Sequence, residues 1–300
     1  MKNMNIYSHT RAALFALTAI MSTTFPALSQ TISEADASGL PGDNFSLEGA
    51  LELFKDSPSP EAFEKSLNAE DGKVNNLDLN EDGQTDYIRV VDKSESDAHA
   101  FILQAVVSET ESQDIAVIEL EKNTADDAAV QIVGDEDIYG EQKIVEPSTT
   151  VTSNAGTSSK TVVVNVMAWP MVSYVYRPAY RVYVSPWRWH VYPTWYRPWR
   201  PVHHSVFYGY RAPYYRRYAV VHTHRAVYAH RVYAPVRTTS VIVTQRNAVA
   251  VNRYRASRPS SVSRTSTTVS GPNGHSATKT TTTVKGKHGG TAKRTRVKKH

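Results

Sequence analysis

The acidic and basic side chains of this 300-residue chain are segregated into two consecutive blocks. All 29 Asp and Glu residues lie between Glu34 and Glu146, and residues 30–146 carry a net charge of −22. Residues 147–300 contain 25 Lys and Arg and no acidic residue. Charge segregation bears on solubility, association and partners rather than on the fold. It predicts that the second block binds polyanions, including the first block of the same chain.

The composition excludes several kinds of functional site. Three hundred residues would hold two ordinary domains, but only the acidic block has the apolar periodicity needed for a core. The chain has no Cys, which excludes disulfides, thiolate metal sites, cysteine nucleophiles and the lipidated Cys of a lipoprotein. A nucleophile elbow, a phosphate-binding loop, a dinucleotide fingerprint and a His-Glu-x-x-His motif are also missing from the sequence. We therefore expect a protein that is not an enzyme.

The N-terminus has the pattern of a secretory signal peptide over residues 1–29. Lys2 and Arg11 give a positive start, an apolar stretch follows, and Ala27-Leu28-Ser29 offers small residues for cleavage. The alternative is an uncleaved membrane anchor, which is disfavoured because a spanning helix needs about 20 apolar residues and this stretch has about ten. We expect an exported protein, periplasmic, on the outer surface or extracellular, with no transmembrane segment after signal removal.

Residues 46–146 are predicted to fold as a small α+β module behind a flexible leader at 30–45. Ser46 is suited to cap a helix that begins at Leu47, and Ser59 with Pro60 is suited to begin a second helix. Apolar runs separated by short polar turns indicate a four-stranded antiparallel meander, and about 100 residues suffice for one core. The predicted strands are 87–91, 98–108, 115–121 and 129–133.

Residues 78–86 match a calcium-binding loop, which arranges oxygen ligands around one point. Gly83 stands at position 6, where the sharp turn requires glycine, but position 12 is Arg89 instead of the bidentate Glu of an EF-hand. A strand follows, as in propeller-type repeats. We predict a structural Ca²⁺ site with an affinity of about 10⁻⁴–10⁻³ M; the alternative is a tight turn held by Asx side chains. The predicted ligands are Asp78, Asn80, Asp82, Asp86 and the backbone carbonyl of Gln84.

Parts of the acidic block resemble a family of uncharacterised exported bacterial proteins. The resemblance rests on Leu-Asp-Leu-Asn at 77–80, Asp-Tyr-Ile-Arg-Val-Val-Asp at 86–92 and Gln-Ile-Val-Gly-Asp-Glu-Asp-Ile-Tyr-Gly at 131–140. It covers about a third of the chain, from residue 60 to residue 147. The resemblance implies an exported acidic α+β module with a single calcium-type loop, and it implies no activity.

The basic block has three parts. Residues 147–160 are rich in Ser and Thr and predict a linker. Residues 161–254 hold all five Trp and 14 of the 17 Tyr, and Pro and Arg interrupt them so often that we expect a weakly folded segment. Alternation at 182–184 and 241–243 favours short strands within it. Residues 255–300 are low in apolar side chains and predict a disordered basic tail.

The basic aromatic segment is predicted to bind anionic polymers. Arg presents a planar fork of donors that suits phosphate, sulfate and carboxylate, while Trp and Tyr stack on sugar faces. The candidate polyanion-binding residues are Arg177, Arg181, Arg188, Arg197, Arg200, Arg211, Arg216, Arg217, Arg225 and Arg231. The candidate stacking residues are Trp187, Trp189, Trp195, Trp199, Tyr214 and Tyr215. Pairs of His at 203–204 and 222–224 are weaker candidates for a transition metal, since such pairs without nearby acids or Cys usually bind none.

Taken together, the sequence predicts an exported envelope or matrix protein. The expected partner is an anionic polysaccharide, lipopolysaccharide or peptidoglycan. Nucleic acid fits the same chemistry but is disfavoured by export. The alternative is a self-assembling protein whose acidic and basic halves pair. Its assembly would weaken as salt rises, because Coulomb attraction is screened over about 8 Å at physiological salt. The third interpretation is an accessory region whose arginines are solvated.

Overall fold

The computed structural model describes residues 37–152, 159–214, 217–258, 261–270, 276–285 and 291–299. The predicted signal peptide and the first part of the predicted leader lie outside these residues. Within them, no helix is both long enough and apolar enough to cross a membrane.

The described residues form seven helices and ten strands, which confirms an α+β protein. The helices are α1 (Leu47–Asp56), α2 (Pro60–Leu67), α3 (Glu136–Tyr139), α4 (Pro170–Val175), α5 (His204–Arg211), α6 (Val227–Tyr233) and α7 (Val241–Ser257). The strands are β1 (Ile88–Glu95), β2 (Ala98–Val106), β3 (Ser112–Thr124), β4 (Asp127–Gly134), β5 (Lys143–Thr152), β6 (Ser159–Val163), β7 (Tyr218–Val221), β8 (Ser261–Ser270), β9 (Ser276–Lys285) and β10 (Thr291–Lys299).

The first two helices begin where the sequence predicts because serine side chains cap them. The Ser46 hydroxyl accepts a hydrogen bond from Gly49 N–H (3.0 Å), and the Ser59 hydroxyl accepts one from Ala62 N–H (3.3 Å). Caps of this kind stabilise a helix by about 1 kcal/mol. Pro60 occupies the first position of α2, where its missing N–H costs no helical hydrogen bond. The predicted pair of helices is confirmed.

Strands β1 to β4 form an antiparallel meander, which confirms the predicted four-stranded sheet. β5 extends this sheet: its first half pairs with β4 and with β7, and its second half pairs with β6. β5 runs into the segment predicted to be a linker, where Thr and Val favour an extended chain. β7 comes from the basic segment, so the two blocks of the sequence share one sheet.

One face of the sheet carries the main hydrophobic core, and we call it the helix face. α1 and α2 bring Phe54 and Phe63 into edge-to-face contact, with ring centroids 5.4 Å apart, and Phe54 lies 5.1 Å from the ring of Phe101 on β2. α4 adds Met171 and Val172, both fully buried. The strand residues of this face include Val90, Phe101, Ile118 and Ile132.

The opposite face of the sheet carries polar side chains that are also buried, and we call it the carboxylate face. Successive strand residues point to opposite faces, so Glu119 lies on the side away from Ile118 and Leu120. Residues 222–240 cover this face, and α6 packs on β1, β2 and β3. A small apolar cluster that includes Val117, Val133 and Tyr233 lies among the polar groups. The buried polar residues here are Gln104, Asp114, Glu119, Gln131 and Glu146.

Residues 183–185 cover the outer edge of the sheet. Asp92 N–H donates to the Tyr183 carbonyl (2.7 Å), and Ser185 N–H donates to the Val90 carbonyl (3.0 Å). The predicted strand at 182–184 is therefore present as a single bridge to β1. An open strand edge can pair with other chains, and this contact removes that opportunity from part of β1.

The second predicted strand of the basic segment is wrong, because Val241 begins α7. The Ser240 hydroxyl accepts a hydrogen bond from Val243 N–H (3.2 Å) and so caps the helix. Four β-branched residues in a row, at 241–244, are too short a pattern to outweigh this cap and the tertiary contacts around it. Val243 is fully buried against the main core.

Two segments that were predicted to lack structure contain regular elements within the described residues. In the leader, Pro41–Asn44 form a 3-10 turn beside the buried Leu40. In the tail, β8, β9 and β10 pair as an antiparallel three-stranded sheet. The strands of the tail are rich in Thr, a β-branched residue that favours extended chain.

Candidate functional site

The calcium-type loop, residues 78–86, is held by side chains that accept hydrogen bonds from its own backbone. The Asp78 carboxylate accepts from Asp82 N–H (3.0 Å), and the Asn80 amide oxygen accepts from the same N–H (3.0 Å). The Asp82 carboxylate accepts from Gln84 N–H (2.8 Å). The contacts made by Asn80 and Asp82, each with the N–H two residues on, are Asx turns, the alternative that the sequence left open. Calcium binding at this loop stays a prediction.

Asp86 closes the calcium-type loop from inside the protein. Its carboxylate accepts a hydrogen bond from Leu79 N–H (2.6 Å) and is buried. Burial, together with the nearby carboxylates of Asp78 and Asp82, raises the pKa of Asp86 to about 7. A cation bound among these carboxylates would lower that pKa, since an opposite charge favours the ionised form.

The basic segment docks on Thr85, near the end of this loop. Thr85 N–H donates to the Trp199 carbonyl (2.8 Å), and Trp199 N–H donates to the Thr85 hydroxyl (3.3 Å). The Tyr196 hydroxyl donates to the Thr85 carbonyl (2.8 Å). The Arg246 guanidinium donates to the Leu79 carbonyl (2.8 Å) from α7. The calcium-type loop is therefore joined to the basic segment by hydrogen bonds that each involve a main-chain atom.

Three arginines that were predicted to bind polyanions are paired with carboxylates of the same chain. These pairs bring residues of the basic segment against the acidic module, where Glu48 and Glu146 are buried. A buried carboxylate without a partner is costly, so such pairs are expected wherever the two blocks meet. The pairs are Arg211 with Glu48 (3.5 Å), Arg217 with Glu52 (2.5 Å) and Arg225 with Glu146 (2.8 Å).

Two further predicted arginines lie over tyrosine rings. The Arg177 guanidinium is 3.7 Å from the centroid of the Tyr174 ring, and the Arg231 guanidinium is 5.3 Å from that of Tyr228. Both arginines are exposed, so these cation–π contacts leave their outer faces to solvent. Arg216 and the predicted stacking residue Tyr215 lie outside the described residues.

The remaining arginines of the predicted set are concentrated in residues 181–200, which we call the Arg/Trp segment. All four are exposed, and within the described chain none of them forms an ion pair with a carboxylate. Arg197 donates to the carbonyls of Thr194 and Tyr196 (both 2.7 Å), which orients its guanidinium along the segment. These residues are Arg181, Arg188, Arg197 and Arg200.

The Trp side chains of the Arg/Trp segment are also accessible to solvent. Trp195 is 39% exposed, and the Lys65 ammonium lies 5.8 Å from its ring centroid. Trp187, Trp189 and Trp199 are half-buried. The fifth stacking candidate that the structure describes, Tyr214, lies outside this segment and is half-buried beneath Arg217.

Among the described residues, the arginine with the most carboxylate partners is Arg237, which was not predicted. Its guanidinium donates to both carboxylate oxygens of Asp135 (2.5 and 2.9 Å) and to Asp137 (2.9 Å). The hydrogen bonds with Asp135 raise the pKa of Arg237 further above its ordinary value. Asp135 also caps α3 by accepting from Asp137 N–H (2.9 Å). Nothing in the sequence around residue 237 distinguishes this arginine from its neighbours in the same block.

Comparison of the chain with protein-family models, with curated proteins and with solved structures found no match. The interpretation of function therefore rests on the residues described above.

Proposed function

We propose that this protein binds an anionic surface polymer outside the cytoplasm, as a binding protein rather than an enzyme, and that the Arg/Trp segment is the binding site. The observation that carries the proposal is the contrast among the arginines. Arg225 and Arg237 pair with the buried carboxylates of Glu146 and Asp135. By contrast, Arg181, Arg188 and Arg200 are exposed and have no ion pair in the described structure. Their positive charges are available to an external anion.

The chemistry of the segment favours a polysaccharide partner. Guanidinium groups bind phosphate, sulfate or carboxylate through two parallel hydrogen bonds. Partly exposed indole rings at Trp189 and Trp195 stack on sugar faces. An anionic polysaccharide, the sugar phosphates of lipopolysaccharide and peptidoglycan offer both groups in one polymer.

The segment is also held in place before any ligand binds. Its first part pairs with the edge of β1, and its last part is hydrogen-bonded to Thr85. Binding to a segment that is already ordered loses less conformational entropy than binding to a free arm. These contacts therefore support binding by an ordered surface at residues 181–200 more than binding by an unstructured basic arm, which charge alone would suggest.

The test compares two variants that lose the same charge from different places. Removing four arginines of the Arg/Trp segment should weaken binding to immobilised alginate or lipopolysaccharide by about 4-fold to 1,000-fold at low salt, if each exposed contact contributes about 0.2–1 kcal/mol. The matched control removes four charges from the tail and should change binding far less. The two variants replace Arg181, Arg188, Arg197 and Arg200 with Gln, or Lys293, Arg294, Arg296 and Lys298 with Gln.

Equal losses in the two variants would show that binding follows net charge alone and would remove the Arg/Trp segment from the proposal. Neutral dextran serves as the polymer control. The melting temperature of each variant should stay close to that of the parent protein, because all the replaced residues that the structure describes at 181–200 are exposed.

Self-assembly through pairing of the two halves is the second candidate function. The structure forms these pairs within one chain, which leaves fewer charges for pairing between molecules. Light scattering of the mature chain across a salt series tests this function. Particles that form at low salt and dissolve at high salt would favour assembly over polymer binding.

A further inference from the structure

A group of three metal-ligand side chains lies on the carboxylate face, away from the Arg/Trp segment. His230 Nδ1 is 2.6 Å from Glu119 Oε1, and His224 Nδ1 is 3.4 Å from Glu119 Oε2. The two imidazole rings have their centroids 4.2 Å apart. One ligand atom from each residue lies within 4.8 Å of the other two, and within the described chain this is the group of His, Asp and Glu that meets in this way.

The three residues come from three separate elements of the fold. Glu119 is on β3, His224 lies in the connection between β7 and α6, and His230 is on α6. The acidic block supplies the carboxylate and the basic block supplies both imidazoles. The histidine pair at 222–224, taken alone, showed no nearby acid, so the sequence gave this pair little weight as a metal site.

The connection that carries His224 is fixed by a side chain from the neighbouring strand. Gln131 of β4 is the register partner of Glu119. Its amide nitrogen donates to the Thr223 carbonyl (3.0 Å), and its amide oxygen accepts from Arg225 N–H (2.7 Å). The residues on both sides of His224 are therefore anchored by one amide group, which places the imidazole beside Glu119.

The helix that carries His230 is also held close to the sheet. Ala226 and Ala229 are fully buried and pack with Ala98 of β2, and their small side chains allow α6 to approach the strands. At the end of α6, the Tyr233 hydroxyl donates to the Asp114 carboxylate (3.2 Å). Both imidazoles are thus positioned by contacts that do not involve the other ligands.

The exposure of the three residues leaves one side of the group open to water. The Glu119 side chain is fully buried, whereas 26% of the His224 side chain and 27% of the His230 side chain are exposed. The buried Glu119 carboxylate contacts both imidazoles, at 2.6 Å from His230 and 3.4 Å from His224. The buried Glu119 carboxylate would neutralise part of the charge of a cation bound here, and solvent would reach the cation on the side of the two imidazoles.

We propose that Glu119, His224 and His230 form a binding site for a divalent transition-metal ion such as Zn²⁺. Two imidazole nitrogens and one carboxylate oxygen form a known zinc ligand set, which leaves a fourth position for water or another ligand. In a tetrahedral site with metal–ligand distances of about 2.0–2.2 Å, ligand atoms are separated by roughly 3.3–3.6 Å. The distance from His224 Nδ1 to Glu119 Oε2 already has this value. The contact of His230 Nδ1 with the other oxygen, Glu119 Oε1, needs to lengthen by less than about 1 Å.

A bound ion would join the two blocks of the chain at one point. The alternative interpretation is purely structural: the two imidazoles only form hydrogen bonds with a buried carboxylate that would otherwise lack partners. The two interpretations differ in whether an ion binds. A metal site binds an ion and needs both histidines to do so, whereas a carboxylate that is only hydrogen-bonded binds no ion.

The test is calorimetric titration of Zn²⁺ into the mature chain without a histidine tag. We expect one site per chain. His224→Ala and His230→Ala should each weaken Zn²⁺ binding by at least about 10–100-fold, the loss found when even an outer-shell partner of a metal ligand is removed. The matched control is His222→Ala, which removes an exposed imidazole two residues from His224 and should leave the affinity unchanged.

A second measurement separates loss of a ligand from loss of the fold. Zn²⁺ should raise the melting temperature of the parent protein and of His222→Ala, and should leave those of His224→Ala and His230→Ala unchanged. The proposal is overturned if the parent protein gives no binding heat. It is also overturned if His222→Ala loses as much affinity as His230→Ala, because the exposed histidines would then be the ligands.

Discussion

The two faces of the sheet are closed in opposite ways. The helix face is covered by α1, α2 and α4 through apolar contacts such as that between Phe54 and Phe101. The carboxylate face is covered by residues 222–240 through ion pairs and hydrogen bonds such as that between Arg237 and Asp135. The helix face is covered mostly by segments that are close in sequence to the sheet. The carboxylate face is covered by a segment that lies about a hundred residues after its partners in the sheet. The contrast explains how a block with a net charge of −22 can bury carboxylates.

The largest expected effect is on the helix face. Phe54→Ala should lower the free energy of unfolding by about 3–5 kcal/mol, because it leaves a cavity among Phe63, Phe101 and their neighbours. Urea unfolding at low and at high salt measures this loss, which should be the same at both ionic strengths. A loss that changes strongly with salt would contradict an apolar closure of this face.

The next largest effect concerns the carboxylate face. Arg237→Gln should lower the free energy of unfolding by about 3 kcal/mol, because it leaves the buried Asp135 without a counter-charge. The matched control is Arg258→Gln, whose ion pair with Glu141 is exposed and contributes less than about 1 kcal/mol. Equal losses in urea unfolding would show that burial of the carboxylate does not decide the cost.

A pH series sharpens the same comparison. Burial raises the pKa of Asp114, on the carboxylate face, to about 6 from an ordinary value of 3.8. A carboxyl with a raised pKa binds more protons in the folded state, so its contribution to stability falls as pH rises from about 4 to about 6. We expect a fall of about 2 kcal/mol that is absent in Asp114→Asn. Parallel pH curves for the two proteins would contradict this assignment.

The smallest expected effect is at the calcium-type loop, which precedes β1. If the affinity is about 1 mM, then 10 mM Ca²⁺ should stabilise the protein by about 1.4 kcal/mol. Asp82→Ala should abolish both this shift in thermal unfolding and the heat of calcium titration. Identical Ca²⁺ responses in the two proteins would show that the loop does not bind Ca²⁺ and that its residues only form Asx turns.

Local signals made the acidic module predictable. The serine caps at Ser46 and Ser59 and the apolar runs of β1 to β4 act within a few residues, and the structure places those elements close to the predicted bounds. The same kind of reasoning failed at Val241, where a short β-branched run is part of α7. The β-branched run disagrees there with the Ser240 cap and with the tertiary contacts of Val243, and these decide the structure.

The partners of the basic segment were not predictable from one sequence. The sequence showed that the two blocks attract each other, but Coulomb attraction does not state which arginine meets which carboxylate. Arg225 pairs with Glu146, 79 residues away, whereas Arg188 has no ion pair within the described residues. For the group of Glu119, His224 and His230, only the register of β3 with β4 and the position of α6 bring the ligands together.

The wide separation of Arg237 and Asp135 has a consequence for the order in which the chain is completed. The arginine lies 102 residues after its carboxylate partner, so a ribosome adding about 5–20 residues per second needs about 5–20 s to deliver it. During that interval, Asp135 has been synthesised and Arg237 has not. This ion pair, and with it the closure of the carboxylate face, therefore depends on synthesis of the second half of the polypeptide.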